Sequence, residues 1–230
     1  MHRLQRQRAA LFLALCLCLP APSAGWAQTA LCAGGGVTVN AQTQSLRDQV
    51  CRAAATAQEV VNHCDIPLPE AHVTITVTDD LVPGCVGLFH SDDNLIEVLP
   101  PAIMDERLGN DSVFAGLDEE GFFASIVAHE FAHAVANGFP CSSGNCVTAG
   151  EYVAYALQIL AMEAGDRAAF EQRAGLVEPV APEQLSGVIL MFAPDLFAAR
   201  VWSHFSAQPD GCSYLRDVLE GRVSFDREEP

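Results

Sequence analysis

Residues 119–137 read Glu-Glu-Gly-Phe-Phe-Ala-Ser-Ile-Val-Ala-His-Glu-Phe-Ala-His-Ala-Val-Ala-Asn. Within them, His129 and His133 are four positions apart, so they lie on the same face of an α-helix, one turn from each other. That spacing lets both imidazoles reach one tetrahedral metal ion. Glu130 projects at a neighbouring angle, where it can hold a water molecule rather than the metal. The stretch therefore predicts a helix that carries two metal ligands and a general base.

The limits of this helix are also visible in the sequence. Asp118 or Glu119 begins it, because the helix dipole favours acidic residues in the first turn. Asn137 and Gly138 end it with residue types that are common at helix C-caps. A second helix is predicted over residues 148–164, where apolar residues recur at helical spacing. The short turn between the two helices lets them pack together.

Glu151, near the start of the second helix, is the candidate third ligand. Hydrolytic zinc sites use three protein ligands and keep one position open. A lone carboxylate among apolar residues is costly to bury unless it is paired or bound to a metal. The alternative is an ordinary acidic residue near a helix N-terminus, where the dipole favours it. The sequence thus predicts a zinc centre of His129, His133 and Glu151, with Glu130 as its base.

These residues resemble the zincin metallopeptidases of the gluzincin type. In that group H-E-x-x-H lies on one helix, and the third ligand is a Glu on a following helix, in an E-x-x-A-x-Y-like context. Residues 151–155, Glu-Tyr-Val-Ala-Tyr, are similar but one residue shorter. The likeness covers roughly residues 73–160 and does not single out one characterised family. It implies a zincin-like fold, a Zn²⁺ cofactor and a peptide or protein substrate.

The resemblance also implies a mechanism. Zinc polarises a water molecule, Glu130 removes its proton, and a further donor stabilises the oxyanion. Tyr155, one turn after Glu151, is one candidate donor, with a core tyrosine as the alternative. His204 is the other candidate, with a half-buried helical histidine as the alternative. Zincins also place an antiparallel edge strand above the motif helix, and residues 95–99 are the candidate for that strand.

The segments before the motif predict a small sheet and a helix. Residues 73–78 alternate apolar β-branched residues with threonine and predict a strand. Residues 86–90 and 95–99 flank a polar four-residue loop and predict a β-hairpin. Residues 43–63 predict a helix that is capped by Ser45.

The rest of the chain completes an α+β fold. Residues 28–40, with three consecutive glycines, predict an irregular lead-in, and residues 102–118 predict a loop with a short helical turn. Residues 167–221 predict several helical pieces separated by prolines. Residues 28–225 are therefore expected to form a zincin-like single domain. It has a small antiparallel or mixed sheet, then the motif helix and a mostly helical C-terminal half.

The two ends of the chain are expected to lie outside this domain. Residues 1–27 have the features of a secretory signal peptide, with three arginines before an apolar run over residues 9–19. That run is shorter than the roughly 20 residues of a membrane span, which disfavours the alternative of a membrane anchor. Residues 226–230 are expected to be a solvated, disordered tail.

The composition indicates an acidic, exported protein. The formal net charge is −17 at pH 7, and the sequence contains no lysine. A strongly acidic surface argues against nucleic acid and anionic membranes as partners. The alanine-rich, lysine-free composition is typical of GC-rich bacterial genomes, which favours the periplasm or the medium as the location.

The cysteines agree with export. The chain has nine cysteines, and those that follow the predicted signal peptide are odd in number, so at least one has no intramolecular partner. Exported chains with many cysteines form disulfides. Cys141 and Cys146 are the candidates for a disulfide that closes a small loop. A zinc–thiolate site is the alternative, but the sequence has no C-x-x-C pair.

Two other functions are compatible with the same residues. The domain could keep the fold and the metal but act as a catalytically inactive binding or scaffold protein of the periplasm. The motif could also be accidental in a disulfide-stabilised helical domain, and chelators would then leave its thermal stability unchanged. A metzincin site is excluded, because no histidine follows His133 at the required spacing.

Overall fold

The computed structural model of the protein describes residues 28–141, 146–175 and 179–225. The predicted signal peptide, residues 1–27, and the predicted tail, residues 226–230, lie outside the described residues.

A five-stranded mixed sheet forms one layer, in the order β1-β2-β3-β5-β4. Strands β2, β3 and β5 are parallel to one another, whereas β1 and β4 are antiparallel to their neighbours and form the two edges. The strands are β1 (Gln28–Leu31), β2 (Val37–Ala41), β3 (Val73–Val77), β4 (Gly87–His90) and β5 (Leu95–Val98). The sheet is mixed, as expected of the predicted α+β class.

The eight α-helices of the described residues follow or separate these strands. They are α1 (Gln44–His63), α2 (Pro101–Arg107), α3 (Glu119–Ala136), α4 (Val147–Ala161), α5 (Ala164–Ala174), α6 (Gly187–Phe192), α7 (Pro194–Ser206) and α8 (Gly211–Leu219). Thr43, not the predicted Ser45, caps α1, because the Thr43 side chain accepts a hydrogen bond from the Leu46 amide. Helix α2 is the helical turn expected near residue 102.

The predicted strand at residues 73–78 and the predicted hairpin are confirmed. Val73, Ile75 and Val77 of β3 are buried and the threonines between them are not, as the alternating pattern requires. Strands β4 and β5 form the hairpin, and the loop between them ends at Asn94, which adopts a left-handed conformation with φ of 48°.

Two strand predictions are wrong. Residues 28–40 are not irregular, since they form the β1–β2 hairpin across three glycines with positive φ. The sequence hides β1 because its residues are mostly exposed and lack an apolar alternation. Residues 95–99 are not the edge strand, because β5 pairs with β3 on one side and β4 on the other. The edge strand beside the motif helix is β4.

The motif helix α3 lies at the centre of the molecule. It packs against α1, α2, α4 and the β4–β5 hairpin. Its buried residues occur all round the helix, as expected of a helix that is surrounded by protein. Asp118 caps its N-terminus by accepting hydrogen bonds from the Glu120 and Gly121 amides. The C-cap is Asn137, as predicted.

The described residues contain three disulfides, of which one closes a short loop and two join different secondary-structure elements. The predicted Cys141–Cys146 bond is present, and Cys32–Cys51 joins the first hairpin to α1. Cys64–Cys212 joins the end of α1 to α8, and Cys85 is a free thiol. These bonds are consistent with an exported protein.

Among the helices of the described residues, none is long and apolar enough to cross a membrane.

Candidate metal centre

Three potential metal ligands converge where α3 packs against α4. The Nε2 atoms of His129 and His133 are 3.1 Å apart. The Glu151 carboxylate lies against both rings, with Oε2 3.5 Å from His129 Nε2 and Oε1 3.5 Å from His133 Nε2. No other group of three or more His, Cys, Asp or Glu side chains with this convergence occurs in the described part of the chain. The structure therefore brings together the three residues that the sequence predicts as ligands.

The spacing of these donor atoms fits a tetrahedral metal. Zinc bonds to imidazole and carboxylate of about 2.0–2.2 Å place tetrahedral donors roughly 3.3–3.5 Å apart. The two Nε2 atoms are 3.1 Å apart, slightly closer than this, and each lies 3.5 Å from a different oxygen of Glu151, so small side-chain adjustments bring three donor atoms to the tetrahedral spacing. Two imidazoles and one carboxylate also form the donor set of hydrolytic zinc sites. The residues present can hold a metal ion.

Burial and mutual charge perturb the protonation of all three ligands. Burial disfavours protonation of His129, but its hydrogen bond to Glu151 and the charges of Glu130 and Glu151 raise its pKa overall. Burial and the neighbouring His129 lower the pKa of His133 to about 4, which leaves its lone pair free. Burial opposes ionisation of Glu151, but both histidines outweigh it and lower its pKa. These shifts keep His133 and Glu151 in the forms that bind a cation, whereas a metal that binds His129 must displace the proton that the two carboxylates favour there.

Glu130 lies in the same cleft but is not a member of the ligand group. Burial raises its pKa to about 7, although the charge of His129 partly opposes the shift. The backbone of β4 comes close to its side chain, since a Cβ added at Gly87 would lie 2.6 Å from Glu130 Oε1. Gly87 is therefore the residue that makes room for the Glu130 carboxylate beside the edge strand.

A buried hydrogen-bond chain orients His129 from behind. His129 Nδ1 lies 2.9 Å from Gln158 Oε1, and Gln158 Nε2 donates to Ser125 Oγ at 3.2 Å. Ser125 Oγ in turn donates to the Phe122 carbonyl oxygen at 2.8 Å. Partners of this kind fix the tautomer and ring orientation of metal-binding histidines.

The centre opens into a cleft of about 700 Å³. Its walls are the 84–89 segment with β4, the 107–114 segment, the inner faces of α3 and α4, and the start of α7. Arg107 is a cation in this wall, but its Nη1 atom donates to the carbonyl oxygens of Leu81, Val82 and Cys85. That cation holds the loop before β4 in place.

The two predicted oxyanion donors lie in different places. Tyr155 lines the cleft, and its ring meets the His129 ring edge-on with centroids 4.7 Å apart. Burial and the charges of Glu151, Asp195 and Glu130 raise its pKa, so the hydroxyl keeps its proton. No group of the described residues hydrogen-bonds that hydroxyl.

His204 does not reach the cleft. Its Nδ1 atom lies 2.8 Å from the Tyr152 hydroxyl, and its Nε2 atom lies 3.2 Å from Gln208 Nε2. It is fully enclosed, and burial lowers its pKa. His204 is therefore a helical histidine away from the cleft, as in the alternative interpretation, but it is buried rather than half-buried.

Three residues of the site were missed in the sequence, although two of them leave a signal there. Gln158 follows Glu151 by seven positions, or two helical turns, and so lies on the same face of α4. Ser125 precedes His129 by four positions on α3. Both are polar residues in strongly apolar helices, a pattern that points to a buried partner. Gly87 leaves no such signal, because its role depends on which strand lies beside α3.

Comparison with protein-family models matches residues 37–228 to one family, described as "Family of unknown function (DUF6639)". The chain belongs to this family. The match runs from β2 to beyond α8 and includes every residue of the candidate centre. The description of the family states no activity. No curated protein and no solved structure matches the chain.

Proposed function

We propose that the protein is an exported zinc-dependent metallopeptidase that hydrolyses peptide bonds in the periplasm or the medium. The observation that carries the proposal is the convergence of three donor atoms at an open cleft, with a second carboxylate, that of Glu130, in the same cleft but outside the ligand group. His129, His133 and Glu151 hold the metal, and Glu130 is left free for proton transfer.

The chain's own residues can perform the proton transfers of hydrolysis. A zinc ion held at this centre would act as a Lewis acid toward water and the substrate carbonyl. Glu130 accepts the proton of the attacking water and passes it to the leaving amine. Tyr155 donates its unpaired hydroxyl to the oxygen on which negative charge develops. Each of these side chains lines the cleft.

The form of the cleft supports a polypeptide substrate. Strand β4 is an edge of the sheet, and its residues Gly87, Leu88 and Phe89 line the cleft. An edge strand has backbone groups that no neighbouring strand pairs, and an extended peptide can add to them as a further strand. The Phe89 backbone of this edge already hydrogen-bonds Glu130, which places the carboxylate beside the position of such a peptide. The peptide would then run past the centre with its backbone held in register.

Replacing the base separates this function from simple metal binding. We expect Glu130→Gln to keep zinc but to lower the rate of peptide hydrolysis by about 10²- to 10⁴-fold, the usual contribution of general acid–base catalysis. Glu119→Gln on the same helix, which is exposed, is the matched control and should retain full activity. The measurement is cleavage of a panel of unfolded proteins by the zinc-loaded mature chain, with zinc content determined for each variant.

Two results would overturn the proposal. Zinc-loaded wild-type protein that cleaves nothing in the panel would favour the inactive binding or scaffold protein. Equal hydrolysis by wild type and Glu130→Gln would show that the activity does not come from this centre.

A further inference from the structure

Two polar side chains are buried at the contact between α3 and α4, although neither is a member of the metal-ligand group. Ser125 and Gln158 are each only 1% exposed. Burying an amide or a hydroxyl is costly unless it is hydrogen-bonded, and an apolar pair would pack the same space without that cost. Apart from the bond from Ser125 Oγ to the Phe122 carbonyl oxygen, their side-chain hydrogen bonds lead only to each other and to His129.

The direction of the hydrogen bonds in this chain is set by its far end. The Phe122 carbonyl oxygen can only accept, so Ser125 Oγ donates to it. The Ser125 lone pair then accepts from the Gln158 amide nitrogen, which turns the Gln158 carbonyl oxygen toward His129. A carbonyl oxygen requires a donor, so His129 carries its proton on Nδ1.

The opposite orientation of the amide makes fewer bonds. With Gln158 Nε2 toward His129, the ring atom Nδ1 would have to accept, and Ser125 would have to turn its hydroxyl away from Phe122 toward Gln158. The chain would then lose the Ser125–Phe122 bond, which is 2.8 Å long in the structure. A net hydrogen bond is worth about 0.5–1.5 kcal/mol, which favours the observed orientation.

We propose that Gln158 and Ser125 are positioning residues that hold His129 in the tautomer with a proton on Nδ1 and a lone pair on Nε2. That lone pair points to the ligand group, 3.1 Å from His133 Nε2 and 3.5 Å from Glu151. The pair thereby sets the affinity of the centre for its metal. The inference rests on the proposed metal site, and it adds two residues that act on the metal through His129.

The test is the zinc affinity of matched variants, measured by competition with a chromophoric chelator. Gln158→Met keeps the volume but removes the acceptor, and we expect zinc binding to weaken by about 10- to 100-fold. Gln158→Glu restores an acceptor for the Nδ1 proton and should stay within about 10-fold of wild type. Gln208→Met is the control, because it makes the same change beside His204, a histidine outside the ligand group, and should leave zinc affinity unchanged.

A second variant acts one step further from the ligand. Ser125→Ala frees the amide to turn, so we expect a smaller loss of zinc affinity than in Gln158→Met, together with faster solvent exchange of the His129 Nδ1 proton in NMR spectra of the zinc-loaded protein. This variant removes one oxygen and keeps the inference testable if Gln158→Met does not fold.

The possible outcomes separate the two proposals. Wild-type protein that binds no zinc would overturn the metal centre itself. Wild-type protein that binds zinc, with Gln158→Met and Ser125→Ala within about twofold of its affinity, would overturn only the positioning role.

Discussion

Helix α4 contributes to two buried histidine clusters, and they are partnered in different ways. His204 has a hydrogen-bond partner at each ring nitrogen, the Tyr152 hydroxyl at 2.8 Å and the Gln208 amide at 3.2 Å. In the other cluster, the Nε2 atoms of His129 and His133 face each other at 3.1 Å, and a carboxylate lies against both. In the His204 cluster, protein atoms partner both ring nitrogens. In the other cluster, potential metal-ligand atoms from three residues converge on one point.

The difference shows what marks a metal site in a protein core. A buried polar group is stable when it is hydrogen-bonded, and the His204 cluster meets that need with protein atoms alone. In the ligand group, two imidazole nitrogens and the Glu151 carboxylate converge on the same position, where a bound cation would satisfy all three. The burial of a histidine therefore says little about whether it binds a metal, whereas the partners of its two ring nitrogens say much more.

The largest expected effect distinguishes the two tyrosines of α4. If Tyr155 is the oxyanion donor, Tyr155→Phe should lower the rate of peptide hydrolysis by about 10²- to 10³-fold, as the loss of one oxyanion-hole donor does. Tyr152→Phe, on the His204 side, should retain activity. The measurement is steady-state hydrolysis by zinc-loaded variants. Full activity of Tyr155→Phe would remove that residue from the mechanism.

The second prediction distinguishes the histidines. Structural zinc sites with four protein ligands bind the metal with about 10–16 kcal/mol, or about 3 kcal/mol for each ligand, so His133→Ala should weaken zinc binding by about 100-fold or more. His204→Ala should leave zinc affinity unchanged and lower the free energy of unfolding by about 1–3 kcal/mol, because the Tyr152 hydroxyl loses its partner. Chelator competition and urea denaturation measure the two quantities. Equal zinc affinities in the two variants would contradict the assignment.

The third prediction concerns the space beside Glu130 in the cleft rather than the metal ligands themselves. A Cβ at Gly87 would lie 2.6–2.9 Å from Glu130 side-chain atoms, whereas one at Gly165 would meet nothing within 4 Å. The flexible Glu130 side chain is the part that must move, so Gly87→Ala should lower hydrolysis by about 10- to 100-fold and keep both fold and zinc. Gly165→Ala should match wild type in hydrolysis rate, fold and zinc content. A loss of zinc in Gly87→Ala would show that the strand supports the ligands instead.

The sequence predicts those parts of the molecule that depend on local spacing. The motif helix, the β4–β5 hairpin and the Cys141–Cys146 bond each follow from residues that are close in the chain, and all three are present. The convergence of Glu151 with the two histidines is also confirmed as geometry. This convergence is predictable because only a short segment separates the two helices that carry the three residues.

The parts that the sequence does not predict depend on pairing across the fold. Strand β5 has the apolar pattern of a strand, but its place inside the sheet is decided by its pairing with β3, which precedes it by about twenty residues. The role of Gly87 follows from that arrangement, since only the strand beside α3 can meet Glu130. The sequence does not separate His204 from a site residue, because its hydrogen-bond partners, Tyr152 and Gln208, are identified only by the folded structure.

The smallest expected effect is on the pH dependence of stability at the His204 cluster. Burial lowers the pKa of His204 in the folded state below its ordinary value of 6.5, so the unfolded chain binds the proton first. The contribution of His204 to the free energy of unfolding is then present above pH 6.5 and is lost as the pH falls below it. His204→Gln, which cannot titrate, should show a shallower decline than wild type between pH 7.5 and 5.5 in urea titrations. Identical declines would mean that His204 is free to protonate in the folded protein.

If His129, His133 and Glu151 form one metal centre, the zinc content of the protein depends on all three side chains. The mature protein and its Glu151→Ala variant are loaded with zinc, dialysed against a weak chelator and analysed by mass spectrometry. We expect one zinc ion per wild-type chain and a large loss of bound zinc in Glu151→Ala. A wild-type protein without zinc, or equal zinc in both proteins, would contradict this assignment.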